Sequence, residues 1–213
     1  QGYSSAASDV YKRQKKSYHH NNLKNELIEK GIELVSNYGL SQLSLRKVAQ
    51  SCNVSHAAPY SHFANKEELV AAMQLHITEQ FTDKLLETIE HHKGSTDFLM
   101  EFGKAYISFF IEKPQYFTFL FQEGNIEINL DIDSSSSENY KPFVIYKEQI
   151  LKLLESSDMP DDKKQDCIVA LFAYIHGLAS LATMKNVHYG MDWKSRLEDL
   201  ISTLSFEVQK ILW

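Results

Sequence analysis

Residues Leu43 to Leu69 read LSLRKVAQSCNVSHAAPYSHFANKEEL, and the way this stretch is punctuated decides the fold. Leu45, Val48 and Ala49 recur at i, i+3 and i+4, and Val54, Ala58 and Phe63 supply apolar residues after a break. That is the pattern of two short amphipathic helices around a turn. The turn falls at Cys52-Asn53-Val54, where a residue that reverses the chain often takes φ > 0, and Asn tolerates this better than other non-glycine residues. Ser44 offers a hydroxyl cap to a helix over Leu45 to Cys52. Ser55 offers one to a helix over Ser55 to Phe63, with Pro59 near its first turn. Two helices joined in this way make a helix-turn-helix, and its second helix is the candidate reader of DNA.

The stretch resembles the DNA-binding domain of TetR/AcrR-type transcriptional regulators, which ends V-S-x-x-x-[LIP]-Y-x-[HY]-F-x-x-K-x-x-L. Val54, Ser55, Tyr60, His62, Phe63, Lys66 and Leu69 stand in those places. Two residues differ from those most common in the family. Asn53 stands where the family has Gly in the turn, which the φ > 0 argument accommodates, and Pro59 stands where Leu or Val is common. The proline removes one backbone donor and predicts an irregular start to the second helix. The resemblance implies that Ser44, Tyr60, His62, Lys66 and Lys47 touch the phosphate backbone. It leaves Ser55, His56, Ala57 and Ser61 to face the major groove, with Arg46 reaching a base or a phosphate. Phe63 is expected in the core, and Tyr60 is expected to pack its ring while its hydroxyl meets a phosphate. The resemblance further implies a homodimer on a near-palindromic double-stranded operator, repression as the default output, and a cytoplasmic location.

Upstream of the motif, a first helix is expected from Asn21 or Asn22, with a stripe of Leu23, Leu27, Ile28, Ile32, Leu34 and Val35, ending at Gly39. Downstream, Asn65-Lys66-Glu67-Glu68 open a helix whose Leu69, Met73, Ile77, Phe81, Leu85 and Ile89 recur at i+4. Gly94-Ser95-Thr96 break it, and two aromatic helical segments follow, parted by Pro114. Gln122 to Asn139 turns polar and acidic and predicts a mobile loop. Helices are expected again over Lys141 to Ser156, Asp161 to Asn186 and Asp192 to Leu212. No alternation long enough for a sheet occurs, so the fold class is all-α. It comprises an N-terminal three-helix helix-turn-helix domain over 15–66 and a helical ligand-binding and dimerisation domain over 67–213. Residues 1–14 hold no apolar core of a signal peptide and read as a non-native or disordered tail, with Lys15 and Lys16 free to end a basic arm.

Gly103-Lys104-Ala105-Tyr106, Phe109, Pro114 to Phe121 and His176 to Leu181 resemble the WHG-type C-terminal domain of some TetR-family members, with Phe172 where that group often has Trp. Phe102, Tyr106, Phe109, Phe110, Tyr116, Phe117, Phe121, Tyr146, Tyr174 and His176 have the composition of a small-molecule pocket, apolar with a few polar handles. They point to a small hydrophobic or aromatic effector. The last two helices are the expected dimer interface, through Ile168, Leu171, Phe172, Ile175, Leu178, Leu197, Leu200, Ile201, Leu204 and Val208.

Charge supports this division of labour. The chain carries −6 overall, yet Lys15, Lys16, Lys24, Lys30, Arg46, Lys47 and Lys66 face only Glu26, Glu29 and Glu33 between residues 15 and 66. A basic module on an acidic body follows. No run of about 18 apolar residues stands out, since charged residues interrupt Phe98 to Phe121, which predicts no membrane span. Cys52 and Cys167 are too few and too far apart for a disulfide framework and read as small buried thiols. No H-x-x-x-H, C-x-x-C, G-x-S-x-G, P-loop or dinucleotide fingerprint occurs, so no metal, cofactor or enzymatic activity is expected. The alternative from another class is a helical small-molecule carrier or adaptor with no specific operator.

Overall fold

A computed structural model describes residues 23–123, 126–134 and 139–212, with side chains placed through residue 203. The expected tail over residues 1–14 and the start of the first helix before residue 23 lie outside it. The described residues are helical, with no β-strand among them. Two compact units divide the chain, the first ending at His76 and the second beginning at Ile77.

In the first unit, α1 spans residues 23–38 and buries Leu27, Ile28, Ile32 and Val35. Gly39 ends it at φ 81, with its N–H bonded to the Val35 carbonyl at 2.8 Å, and a 3-10 turn follows over Leu40–Gln42. The next helix, α2 (Leu45–Ser51), is capped by Ser44, whose hydroxyl accepts from the Lys47 N–H at 3.2 Å. Asn53 holds φ 55, the left-handed value expected of it. The second helix of the motif differs from expectation. Instead of an α-helix over Ser55 to Phe63, the chain forms a 3-10 turn over Ala58–Ser61, with Pro59 buried near its start. Pro59 has no N–H to give, and the closing bonds run from His62 and Phe63 N–H to the Pro59 carbonyl, both at 2.9 Å.

A long helix, α3 (Lys66–His92), begins with a reciprocal cap. Asn65 Oδ1 accepts from the Glu68 N–H at 2.8 Å, and the Glu68 carboxylate reaches back to the Ala64 N–H at 2.6 Å. Its i+4 row Leu69, Met73, Ile77, Phe81 and Leu85 has no exposed surface at all.

The second unit continues α3 and adds α4 (Phe98–Glu112), α5 (Pro114–Phe117), a π-helical turn over Thr118–Glu123, α6 (Lys141–Leu153), α7 (Asp161–Thr183) and α8 (Trp193–Leu212). α4 packs against both α7 and α8. The stretch after the π turn is tied down along its described part, where a loose loop was expected. Lys147 of α6 is buried and points its ammonium at the carbonyls of Asp131, Ile132 and Ser134 and at the Ser134 hydroxyl, at 3.3, 3.2, 3.1 and 2.8 Å. Gln165 of α7 brackets the same stretch at Leu130 and Ile132.

The reading that no run of about 18 apolar residues stands out is corrected here. α7 is long and apolar enough to cross a membrane by length and composition, since Cys167 to Met184 holds no Asp, Glu, Lys or Arg. Interspersed Ala, Gly, Ser, Tyr and His disguise the run. Ile168, Ala179 and Thr183 are its buried residues, and Leu181 is 45% exposed. Each unit holds one thiol, Cys52 buried in the first and Cys167 half-buried in the second.

Candidate nucleic-acid interface and ligand cavity

The residues singled out for DNA gather on one short piece of the first unit. Ser55, His56, Ala57, Tyr60 and Ser61 are all exposed, while Pro59 and Phe63, which alternate with them, are buried. The 3-10 turn therefore works as a pedestal. In the turn and its flanks, Pro59 and Phe63 are anchored inward while Ser55, His56, Ala57, Tyr60 and Ser61 are held out. Tyr60 departs from expectation, because its ring is not packed and the residue is 60% exposed. Phe63 is 1% exposed and belongs to the core as expected, with the Lys24 ammonium 5.9 Å from its ring centroid. His62 is half-buried beside it, at 6.2 Å between ring centroids.

Around the pedestal, α2 presents Arg46 and Lys47 to solvent, and Ser44 is half-buried in its cap. Two of the cations have internal partners that the motif did not reveal. Lys47 Nζ donates to Gln42 Oε1 at 2.9 Å, and Lys66 Nζ donates to the Leu40 carbonyl at 2.7 Å. Each ammonium keeps two further protons for a phosphate. The Leu40–Gln42 turn that supplies both acceptors forms because Gly39 takes its positive φ, and no short sequence pattern signals such a pairing. The buried Cys52 has its thiol pushed up to about 11, by desolvation first and then by the nearby Glu26 charge, so it is not a reactive thiolate.

The aromatic residues of the second unit fall into two groups. Phe102 and Tyr106 of α4, Tyr146 of α6 and Tyr174 of α7 line a cavity. Leu99, Gly103, Leu171, Phe172, Ile175 and Ile201 complete its walls. Of these, Leu171, Phe172, Ile175 and Ile201 were assigned to the dimer face, Gly103 entered only through the WHG-type resemblance, and Leu99 carried no signal. The space open to the centre of a water molecule is about 30 Å³, far below that of a ligand-sized pocket. The other six residues expected at the pocket pack elsewhere. Phe110, Tyr116 and Phe117 are buried, Phe109 stacks on Phe81 at 4.9 Å, and Lys113 and Gln80 both donate to the Tyr116 hydroxyl.

His176 and Phe121 form a cage with Phe117 and Phe172, the three phenyl rings lying 4.6, 5.0 and 5.3 Å from the imidazole centroid. His176 Nδ1 meets the Tyr106 hydroxyl at 2.9 Å. Burial pushes the imidazole pKa down and the Tyr106 phenol well up, so the neutral pair, phenol donating to imidazole, is favoured.

Of the expected dimer stripe, Ile168, Leu197 and Ile201 are buried within the single chain. Leu171, Phe172, Ile175, Leu178 and Leu200 are half-buried, and Leu204 and Val208 have side chains outside the described set.

Residues 27–73 match the model of the bacterial regulatory proteins of the tetR family. No curated protein matches the sequence. Among solved structures, the chain is similar to a tetR-family bacterial regulatory protein from Rhodococcus RHA1, at 16% identity and a TM-score of 0.65 over 84% of this chain and 93% of that one. It is similar to a putative transcriptional regulator from Pseudomonas aeruginosa PAO1, at 18% identity and a TM-score of 0.63 over 91% and 95%. The TetR-family transcriptional regulator PfmR from Thermus thermophilus gives 17% identity and a TM-score of 0.60 over 84% and 96%. At these identities the structural likeness speaks to the fold.

Proposed function

We propose, for a chain that carries the N-terminal domain of the tetR family of bacterial regulators and is thereby a DNA-binding transcriptional regulator and not an enzyme, that it represses transcription as a homodimer. It would bind a near-palindromic operator and release it when a small hydrophobic or aromatic molecule enters the helical unit. The observation that carries this reading is the pedestal. Ser55, His56, Ala57, Tyr60 and Ser61 stand exposed above buried Pro59 and Phe63, inside the basic stretch of an acidic chain.

In this reading Ser55, His56, Ala57 and Ser61 meet base edges, and Arg46 meets a base or a phosphate. Ser44, Lys47, Tyr60, His62 and Lys66 meet phosphates. The exposure of Tyr60 leaves its whole ring, and not only its hydroxyl, available to lie along the backbone. One such segment reads few base pairs, so two copies about one helical turn, roughly 34 Å, apart are needed for a specific site.

Dimerisation is supported by α7, whose Leu171, Ile175 and Leu178 are half-open and whose Leu181 is exposed, along a run without Asp, Glu, Lys or Arg. A second copy offering the same face would cover it. The likeness of the second unit to the WHG-type domain, carried by Tyr106, Phe117 and His176-Gly177, belongs to the same reading. An effector needs only about 1.4 kcal/mol of preference for the DNA-incompetent form to weaken operator binding tenfold.

The test is selection of fragments from random DNA by the purified chain, followed by mobility shift at several salt concentrations. A near-palindrome bound with a steep salt slope is the expected result. Equal binding to all fragments would refute an operator, and a monomeric mass at micromolar concentration would refute the dimer.

A further inference from the structure

The cavity between α4, α6, α7 and α8 is walled by groups whose polar atoms are already engaged. The Tyr106 hydroxyl is held at His176 Nδ1 at 2.9 Å, that of Tyr146 donates to the Ile168 carbonyl at 2.7 Å, and that of Tyr174 donates to the Leu200 carbonyl. The rest of the lining is aliphatic or phenyl, with no Asp, Glu, Lys or Arg among its described residues. A water molecule entering would find no donor and only spare lone pairs on hydroxyls, short of the two to four partners that hold buried water. An apolar occupant loses nothing there.

Gly103 fixes how large that occupant can be. It lies in the interior of α4, where glycine costs about 1 kcal/mol relative to alanine, and it is buried. A Cβ built on it would stand 3.1 Å from Ile175 Cδ1 and 3.4 Å from Ile201 Cδ1. The tips of one α7 side chain and one α8 side chain therefore occupy the space that a side chain on α4 would take. Both are flexible ends that rotate about χ2, and with only about 30 Å³ open to the centre of a water molecule, a ring enters beside Gly103 only if they swing away.

We infer that this cavity takes an uncharged hydrocarbon group, a short alkyl chain or an unsubstituted ring, and that Gly103 is the residue that sets its size. The inference rests on reading the second unit as the effector domain and names the chemistry that the effector must present. A cation or a carboxylate would enter without a counter-charge and without a free hydrogen-bond partner, a penalty that excludes it. The Tyr174 bond to α8 one residue before Ile201 means that an occupant pressing on Ile201 acts on the contact joining α7 to α8.

The experiment is thermal melting of the full chain with benzene, against benzylamine and benzoate, which carry the same ring with a charge of either sign. Benzene at about ten times its Kd is expected to raise Tm by roughly 3–6 °C. The charged pair should bind at least about 100-fold more weakly. Gly103→Val, which fills the cavity, should abolish the benzene shift. If that variant does not fold, Gly103→Ala, whose Cβ meets the movable Ile175 tip, should reduce it. A shift by benzylamine or benzoate equal to that by benzene, no shift by benzene, or a shift undiminished in the glycine variants would overturn the proposal. Melting involves no DNA, so benzene binding that left operator affinity unchanged would count against the effector reading alone and leave the ligand class standing.

Discussion

Lys66→Ala separates two roles that a single lysine can hold. Lys66 Nζ donates to the Leu40 carbonyl at 2.7 Å, tying the first residue of α3 to the 3-10 turn that follows α1, and the residue is half-buried. A hydrogen bond from a charged donor contributes about 1.5–3 kcal/mol, and partial exposure brings this to the low end, about 1–2 kcal/mol. For a chain of this length that is a fall in Tm of roughly 2–8 °C. Thermal and urea denaturation of the wild type, Lys66→Ala and Lys66→Arg would measure it, with Arg expected to recover part of the loss because it keeps donors on a long stem. A stability for Lys66→Ala within about 0.5 kcal/mol of the wild type would refute the latch. The same variant reports on the second role. If the remaining ammonium protons meet a phosphate, the salt slope of operator binding flattens by about one unit. A lost latch with an unchanged slope would assign Lys66 wholly to holding α3 in place.

Three further outcomes follow from the structure. Asn53→Ala puts a Cβ-bearing residue without a local polar partner at φ 55 and should cost about 1 kcal/mol, while Asn53→Gly should be neutral or stabilising, both read from urea midpoints. Lys147→Met removes the ammonium that three carbonyls and a hydroxyl share; relief of its burial offsets part of the loss, so about 1–3 kcal/mol and faster amide exchange over residues 129–134 are expected. His176 is held neutral by burial, its pKa lowered from 6.5, so its contribution to stability is complete above that pH and is lost as pH falls below it toward the folded-state value. His176→Gln should flatten the fall in Tm over that acid window, and an identical fall in both proteins would refute the assignment.

The features legible in the sequence were the ones decided locally. Gly39 and Asn53 could be read as left-handed positions because each follows a helix and little else fits there. The row from Leu69 to Leu85 could be read as a core stripe because its i+4 spacing admits one buried face. Pro59 announced an irregular second helix, but not that the helix would shorten to a 3-10 turn, since that depends on how deeply Pro59 and Phe63 sink together. The pairings of Lys66 with Leu40 and of Lys147 with Asp131 to Ser134 span segments distant in the chain, and no spacing rule reaches them. The apolar face of α7 was visible, but periodicity does not say what a face meets. Leu171, Phe172 and Ile175, counted toward a partner copy, also wall a cavity with Gly103, and each keeps part of its surface open. For the candidate interface the pattern named residues of which Arg46, Lys47, Ser55, His56, Ala57, Tyr60 and Ser61 are exposed, and missed the acceptors that position the lysines, because those are a main-chain carbonyl and a side-chain amide outside the motif.

The placement of Cys52 and Cys167, one thiol to each compact unit, gives the protein a pair of internal reporters. Cys52 is 7% exposed, so a thiol reagent reaches it only when the first unit opens, and its modification rate measures that opening alone. Cys167, half-buried in the second turn of α7, answers for the second unit. Comparing the two labelling rates with and without operator DNA, or with and without a hydrocarbon in the cavity, would show which half of the molecule each occupant stiffens, with no substitution made to the chain.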